Sequence, residues 1–470
     1  SATTFTTHFG YDALGRQIWQ IDCEETATCW NYDLQDRIIE TFLVAQAEAV
    51  TLKGVPKERR LNRQRWHYDV MGREIRFIDP MGATTSREWD ERGLCIAVTD
   101  PLGHTTRYEY DRDGNQTAQR IVTGYEIRTC YDLAGRPISQ TDNLGRIVNY
   151  VYDPIGRVKT ITEGSSEKAG ATTYGYDVFG RLNHISYADG AYEHLTYDEQ
   201  GNLIQRERGQ EHEPPLSIEA FTYDLLGRQT GILAGIPKQL NQQFSLQYND
   251  PVRETQVYDA LGNLSRTFYD SLGNVIRKVD AEGRILHLEY DGKSRMHHRW
   301  AEDGSVVSRY EYDVLDRLIK AKEDPIEYRW QYDAAGRITC HDQTVDQRTE
   351  SIVYEYDEGG RLTQKQLDRE WWMRFTYAIN SPFVSQINIP GSKIAIQTDI
   401  AGQVVDELWD DGGRTRYTYD PDGILAGLES FDKQNNLVFG QHLMRDNRGR
   451  PWKEKRLFAN QEAHYQYTYD

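Results

Sequence analysis

The stretch "TDPLGHTTRYEYD", Thr99 to Asp111, decides how the rest of the chain is read. Its first part, Asp-Pro-Leu-Gly at 100–103, has Asp at the first position of a type I turn, Pro at the second and Gly at the fourth. Its last part, Tyr-Glu-Tyr-Asp at 108–111, places two rings two residues apart, hence on one face of a strand. The closing Asp then opens a second turn. One short stretch therefore spells turn, strand, turn.

Working outward, the second turn recurs as Tyr-Asp-x-x-Gly-Arg along the chain. The copies are Tyr11, Asp12, Gly15, Arg16; Tyr68, Asp69, Gly72, Arg73; Tyr131, Asp132, Gly135, Arg136; and Tyr152, Asp153, Gly156, Arg157. They continue as Tyr176, Asp177, Gly180, Arg181; Tyr223, Asp224, Gly227, Arg228; Tyr332, Asp333, Gly336, Arg337; and Tyr356, Asp357, Gly360, Arg361. From Tyr68 through Trp89, Tyr110 and Tyr131 to Tyr152 the step is always 21 residues. A second Asp-x-x-Gly lies midway, at Asp79, Asp100, Asp142 and Asp280, with Pro in its second slot at Pro80 and Pro101. Pro154 and Pro421 hold that slot in other copies, while Asp36 and Asp316 replace the Gly. Tyr258 and Tyr269 stand only 11 residues apart, as half a unit would. Each unit is strand, turn, strand, turn, and a fixed period of this length marks a repeat array.

The pattern carries expectations for contacts. Rings repeated in successive hairpins should stack into cross-strand ladders. The Arg after each turn should reach an acidic group on the next strand or stack on a Tyr. Some 22 units of two strands, at roughly 4.8 Å each, make a ribbon on the order of 200 Å long. Open sheets of that size curl, so the ribbon must wind.

Composition agrees. Only 38% of the 470 residues are hydrophobic and mean hydropathy is -0.74, too little for several ordinary cores. Yet 31 Tyr, 10 Trp and 13 Phe exclude a disordered chain. A net charge of -18 argues against nucleic acid or an anionic membrane as partner. The basic run Lys53 to Arg65 reads as a solvated insertion. Cys23, Cys29, Cys95, Cys130 and Cys340 form no disulfide framework or zinc spacing, and free thiols suit synthesis in a reducing cytosol. The sequence is read as having no membrane span and no N-terminal signal peptide.

No residue is singled out for catalysis, and no cofactor or metal is assigned. The repeated Asp residues occupy one turn position in every unit, whereas an enzyme needs one site. "DRDGNQ" at 111–116 fails as a calcium loop because Gln116 stands where Gly is needed. His297 and His298, and likewise Cys340 and His341, point to opposite faces of a strand. Departures from the period at 40–66, 205–221 and 232–257 read as surface insertions in a single array spanning 1–470.

The multiplied Tyr-Asp-x-x-Gly-Arg units resemble the RHS or YD-repeat family over nearly the whole chain. The resemblance implies an all-β fold: antiparallel hairpins in a long ribbon that spirals into a hollow shell, of which this chain is part. It implies a structural, non-enzymatic role in a secreted bacterial toxin, made in the cytoplasm and then secreted or injected, with type VI secretion as one route. The implied partners are a C-terminal toxin domain of the same parent protein, enclosed until delivery, and a secretion-apparatus spike and chaperone. The alternatives are a cell-surface recognition module of the teneurin kind and a carbohydrate-binding repeat protein. "DPDGIL" at Asp420–Leu425 is the nearest match to the family's self-cleavage segment, with Ile for Leu and no second copy downstream, and reads as another turn.

Overall fold

The computed structural model describes residues 6–46, 55–56, 59–164, 170–367, 371–420, 423–445, 450–458 and 461–468. They form a single sheet of forty-one strands, β1 (His8–Tyr11) to β41 (Gln461–Gln466), and contain no α-helix. Every strand from β2 to β40 pairs antiparallel with the strand before it and the strand after it, as in β11 (Glu126–Tyr131), β12 (Pro137–Asp142) and β13 (Ile147–Tyr152). The chain is all-β, as its sequence implies. Strands are mostly five to eight residues because a turn signal arrives after each.

Alternate turns lie on opposite edges of the ribbon. The Tyr-Asp-x-x-Gly-Arg turns follow the odd strands and form what we call the YD edge; the midway turns form the return edge. The two differ in register. On the return edge Thr141 pairs with Ile147 and Gln140 with Val148, without interruption. On the YD edge Tyr131 pairs with Pro137 but Cys130 with Ser139, so Ile138 is bulged out. The same shift recurs beside Tyr152, Tyr176 and Tyr332. This extra residue makes the period 21. A bulge also bends its strand and raises the local twist, and bulges concentrated on the YD edge, with only a few on the return edge as beside Ile232 and Ser430, turn the ribbon into a coil.

The coil closes on itself. Side chains on the return edge meet backbone and side chains of the YD edge 257 to 277 residues later, as Arg146 with Gln403 and Thr123 with Ile400. Between β2 (Gln17–Ile21) and β3 (Ala27–Tyr32), Cys23 lies against Gly292, between β25 (Ile285–Tyr290) and β26 (Met296–Ala301). That is twenty-three strands further on. At roughly 4.8 Å per strand, about 23 strands give a circumference on the order of 110 Å and a diameter of roughly 35 Å. Sheets in face-to-face contact lie only about 10 Å apart, so opposite walls are too distant to fill the interior.

Among the described residues a cluster of buried apolar side chains forms in the first hairpins: Ile21, Ala27, Cys29, Phe42, Val44 and Val55, with Trp19 against them. The basic run behaves differently from its reading as a solvated insertion. Arg60 stacks 4.5 Å from the Phe42 ring and donates to the Val55 carbonyl oxygen, and Arg60 and Arg63 both pair with buried Glu40. Guanidinium groups with long apolar stems can seal apolar surface in this way. Lys53 and the rest of 47–54 and 57–58 lie outside the described residues. The departures at 205–221 and 232–257 are largely lengthened strands rather than loops. The longest runs Gln239–Asn249 and ends in a single 3-10 turn at Asp250–Val252.

Candidate functional site in the repeated turns and the seam

All eight hexamers lie on the YD edge and share one construction, which Asp177 to Arg181 shows in full. The Asp177 N–H donates to the Arg181 carbonyl (2.9 Å), and the Gly180 N–H donates to the Asp177 carbonyl (3.0 Å). Gly180 has φ +84°, the left-handed value that closes the turn. Asp177 Oδ1 accepts the N–H groups of Phe179 and Arg181, while Oδ2 accepts from Arg181 Nε at 2.6 Å. The same residue pair closes the turns at Asp12, Asp69, Asp132, Asp153, Asp224, Asp333 and Asp357. The Arg therefore reaches the acid of its own turn, four residues back, and Arg16 and Arg228 also reach Asp36 and Asp250 at the next turn of that edge. Where Arg is missing, Asn115, Asn202, Asn263, Asn274 and Asn436 make the equivalent bond.

The clasp then extends to the next unit. Arg181 lies 4.8 Å over the Tyr197 ring and donates from Nη1 to the Asp198 carbonyl (2.9 Å). The Tyr197 hydroxyl donates back to the carbonyl of Leu182, the residue after the Arg (2.8 Å). The hydroxyls of Tyr68, Tyr131, Tyr152, Tyr176, Tyr223, Tyr332 and Tyr356 bond the preceding unit in the same way. Tyr11, at the end of β1, stays exposed. The expected ladder of ring on ring is replaced by alternating Tyr and Arg. Equivalent Tyr residues are two strands apart, roughly 9.6 Å, beyond the 4.5–7 Å of direct ring contact. A planar guanidinium fills the gap.

Two members of the series lack the Asp after the Tyr. Tyr248, followed by Asn rather than Asp, bonds the Gln229 carbonyl beneath Arg228. Tyr377 bonds the Leu362 carbonyl beneath Arg361. The 21-residue step from Tyr356 would have found Tyr377. Tyr248 also explains the short interval: Tyr258 precedes a return-edge turn, and Tyr269 resumes the YD edge.

Asp36 and Asp316 take φ +63° and +64° in the Gly slot, and Ser294 and Asn435 do the same. At Asp420 the turn hydrogen bonds to Gly423 and Ile424 are formed; Pro421 and Asp422 lie outside the described residues. Bonding lowers the carboxyl pKa of Asp69 and Asp132. In Asp69 the Arg73 N–H is the main cause, and in Asp132 the Arg136 N–H and guanidinium.

The seam between windings pairs acids of the return edge with cations of the YD edge. Lys293 Nζ is 2.7 Å from Asp22, Arg295 is 2.7 Å from Glu24, and Arg450 is 2.7 Å from Asp189. Leu102 sits against Gly359, where a Cβ would have no room.

No group of three or more His, Cys, Asp or Glu able to hold a metal occurs among the described residues. His298 and His287 flank Trp300 as a stack at 4.6 and 5.0 Å, and His341 stacks on Trp330 at 5.3 Å. Burial pushes the thiols of Cys29 and Cys340 up to about 11, so both are protonated at neutral pH. No helix among the described residues is long and apolar enough to cross a membrane.

Residues 1–193 match the family model described as Teneurin YD-shell. Over 171 residues the chain is 30% identical to the toxin protein Tse5 of Pseudomonas aeruginosa, covering 34% of this chain and 12% of that protein. Over 101 residues it is 31% identical to the double-stranded DNA deaminase toxin A of Burkholderia cenocepacia, covering 21% of this chain and 7% of that protein. The fold is similar to the crystal structure of TcdB2–TccC3, with a TM-score of 0.58 at 16% identity, over 97% of this chain and 28% of that one. A Photorhabdus luminescens Tc holotoxin pore structure also has a TM-score of 0.58, at 15% identity, over 97% of this chain and 27% of that one. The chain thus spans only a small part of the length of each relative.

Proposed function

We infer the role of this chain from its membership of the RHS/YD-repeat shell family, and we propose that it is wall: a section of shell that encloses a toxic polypeptide until delivery. The observation that carries the proposal is a wall one sheet thick that returns on itself after about 23 strands. Such a wall has little core of its own and surrounds more space than its side chains can fill. We read residues 1–470 as one array whose role is mechanical and not catalytic, with the repeated Tyr, Asp, Gly and Arg as its fasteners. The relatives named as toxins support a toxin-type shell. The cargo is then a C-terminal domain of the same parent protein, and a secretion spike and chaperone are its further partners. Synthesis in a bacterial cytoplasm and later secretion or injection, type VI secretion among the routes, belong to the same reading.

Limited proteolysis of the full-length coding product tests this. A C-terminal cargo that survives while enclosed, and is digested when expressed without the shell, is the expected result. Equal digestion in both forms would overturn it. The teneurin name of the matching model over 1–193 favours a second reading, recognition by the outer face. A purified chain that binds a cell-surface glycan or receptor, with no protected cargo, is the outcome that selects it.

A further inference from the structure

One joint of the YD edge departs from the clasp and leaves the place of a guanidinium open. At Arg16, Arg37, Arg73, Arg181, Arg317 and Arg361 the side chain lies over the next ring of the edge and donates to a carbonyl in the next turn. The turn after Tyr248 reads Asn-Asp-Pro-Val-Arg-Glu, 249–254. Its Arg253 N–H donates to the Asp250 carbonyl (3.1 Å) with φ +51°, so Arg253 stands in the Gly slot. Glu254 then falls where the clasping Arg belongs. No bulge follows this turn. Thr255 pairs with Tyr248 and shares its face, so Glu254 points the other way, with Arg266 3.8 Å from it.

The next ring is therefore left bare. Tyr269 has no cation over it among the described residues, and its hydroxyl has no hydrogen-bond partner there. Loss of the Arg need not free the hydroxyl. Where Asn115 and Asn202 hold the clasp, Tyr131 and Tyr223 keep their bonds to the Gln116 and Leu203 carbonyls (2.7 and 2.8 Å). A cavity of about 290 Å³ opens at the joint, with Tyr248, Asp250, Thr255, Tyr269, Asp270 and Ser271 on its lining. Sites for drug-sized ligands run to roughly 300–1,000 Å³, so this one suits a single side chain. Arg228 and Arg253 border it too. Asp250 already neutralises Arg228 through contacts of 2.7 and 3.1 Å. Arg253 is exposed and makes no ion pair or ring contact among the described residues. Ser271 and Gly273 are exposed, so the cavity is reached from solvent.

We propose that this cavity binds an arginine side chain of a partner polypeptide, its guanidinium over the Tyr269 ring and donating to the Asp270 carbonyl. The molecule supplies the precedent, because Tyr197 and the Asp198 carbonyl hold Arg181 in the same two ways. A planar fork stacks on a ring and reaches a carbonyl at once, which the compact ammonium of lysine does not. A net charge of -18 draws in a basic partner. The site stands whether or not the chain encloses a cargo.

Calorimetric titration of the full-length protein with N-acetyl-arginine amide tests it, with N-acetyl-lysine amide as the comparison. Saturable one-to-one binding is expected, at least tenfold tighter for the arginine compound. Tyr269→Ala removes the ring, and Ser271→Trp fills the cavity from an exposed turn tip without disturbing the sheet. Each should weaken binding at least tenfold. Circular dichroism establishes that both variants are folded; if Tyr269→Ala is not, Ser271→Trp decides. No saturable binding, equal affinity for the two amides, or unchanged affinity in Ser271→Trp overturns the proposal.

Discussion

Tyr332 shows what one residue of the hexamer does. Its hydroxyl donates to the Leu318 carbonyl at 2.7 Å, and Arg317 lies 4.6 Å over its ring. Removing only the oxygen, in Tyr332→Phe, keeps the stack but leaves a part-buried carbonyl without its donor. A loss of about 1 kcal/mol is expected, read from denaturant unfolding. The turn Gly is tested separately at Gly283, where φ is +81° and an added Cβ would meet nothing within 4 Å. Gly283→Ala therefore isolates the backbone conformation, and it should cost about 1–2 kcal/mol. A neutral result would mean that this turn relaxes to another form.

At the scale of the element, the hairpin is not self-sufficient. Each hexamer turn is closed by its own Asp–Arg pair, and in many of them, as at Arg181 and Arg317, the Arg also grips the next Tyr and the next turn carbonyl. Neighbouring hairpins are therefore fastened in one direction along the ribbon. Between windings the fastening is ionic and sparser. Reversing one partner, in Glu24→Lys, places a cation beside Lys293 and Arg295. Amide hydrogen exchange around the Asp22–Thr26 turn and the adjacent strands should quicken while protection elsewhere stays unchanged. High salt should produce a weaker form of the same effect in the unaltered chain, because charges at this seam are partly exposed. A seam indifferent to both changes would have to be held by packing such as Leu102 on Gly359.

For the whole molecule, stability is spread over repeated carboxylates instead of being concentrated in a core. The pKa values of Asp69, Asp132, Asp259 and Asp432 are all lowered. Glu454 is held at about 2 by Arg456, with help from Tyr467 and Gln441. A carboxyl group whose pKa is lower in the folded state contributes stability above its unfolded value and loses it as pH falls through the folded one. Circular dichroism between pH 6 and pH 2 should therefore show a stable plateau, then loss of structure beginning below the ordinary carboxylate values of 3.8 to 4.5. Unfolding centred near neutral pH would contradict this.

The amino-acid sequence by itself determined the all-β class, the strand and turn alternation and the edge on which each Asp falls. These are local matters, set by Asp, Pro and Gly within four residues and by aromatic alternation within six. It could not supply the partner of the turn Arg, because an acid four residues back and one on the next strand are equally available on paper. Nor could it reveal that guanidinium groups space the rings, since that follows from an inter-strand distance. Arg60 and Arg63 read as solvated because their counterion, Glu40, is distant in sequence and buried only after the hairpins close. Tyr248 and Tyr377 were hidden because their turns lack the Asp-x-x-Gly signal, although their rings do the same work. Only the tertiary structure decided the number of strands per winding and which edges meet. Those depend on twist accumulated from a bulge in nearly every unit, a small angle that no single repeat records and that the closed coil sums.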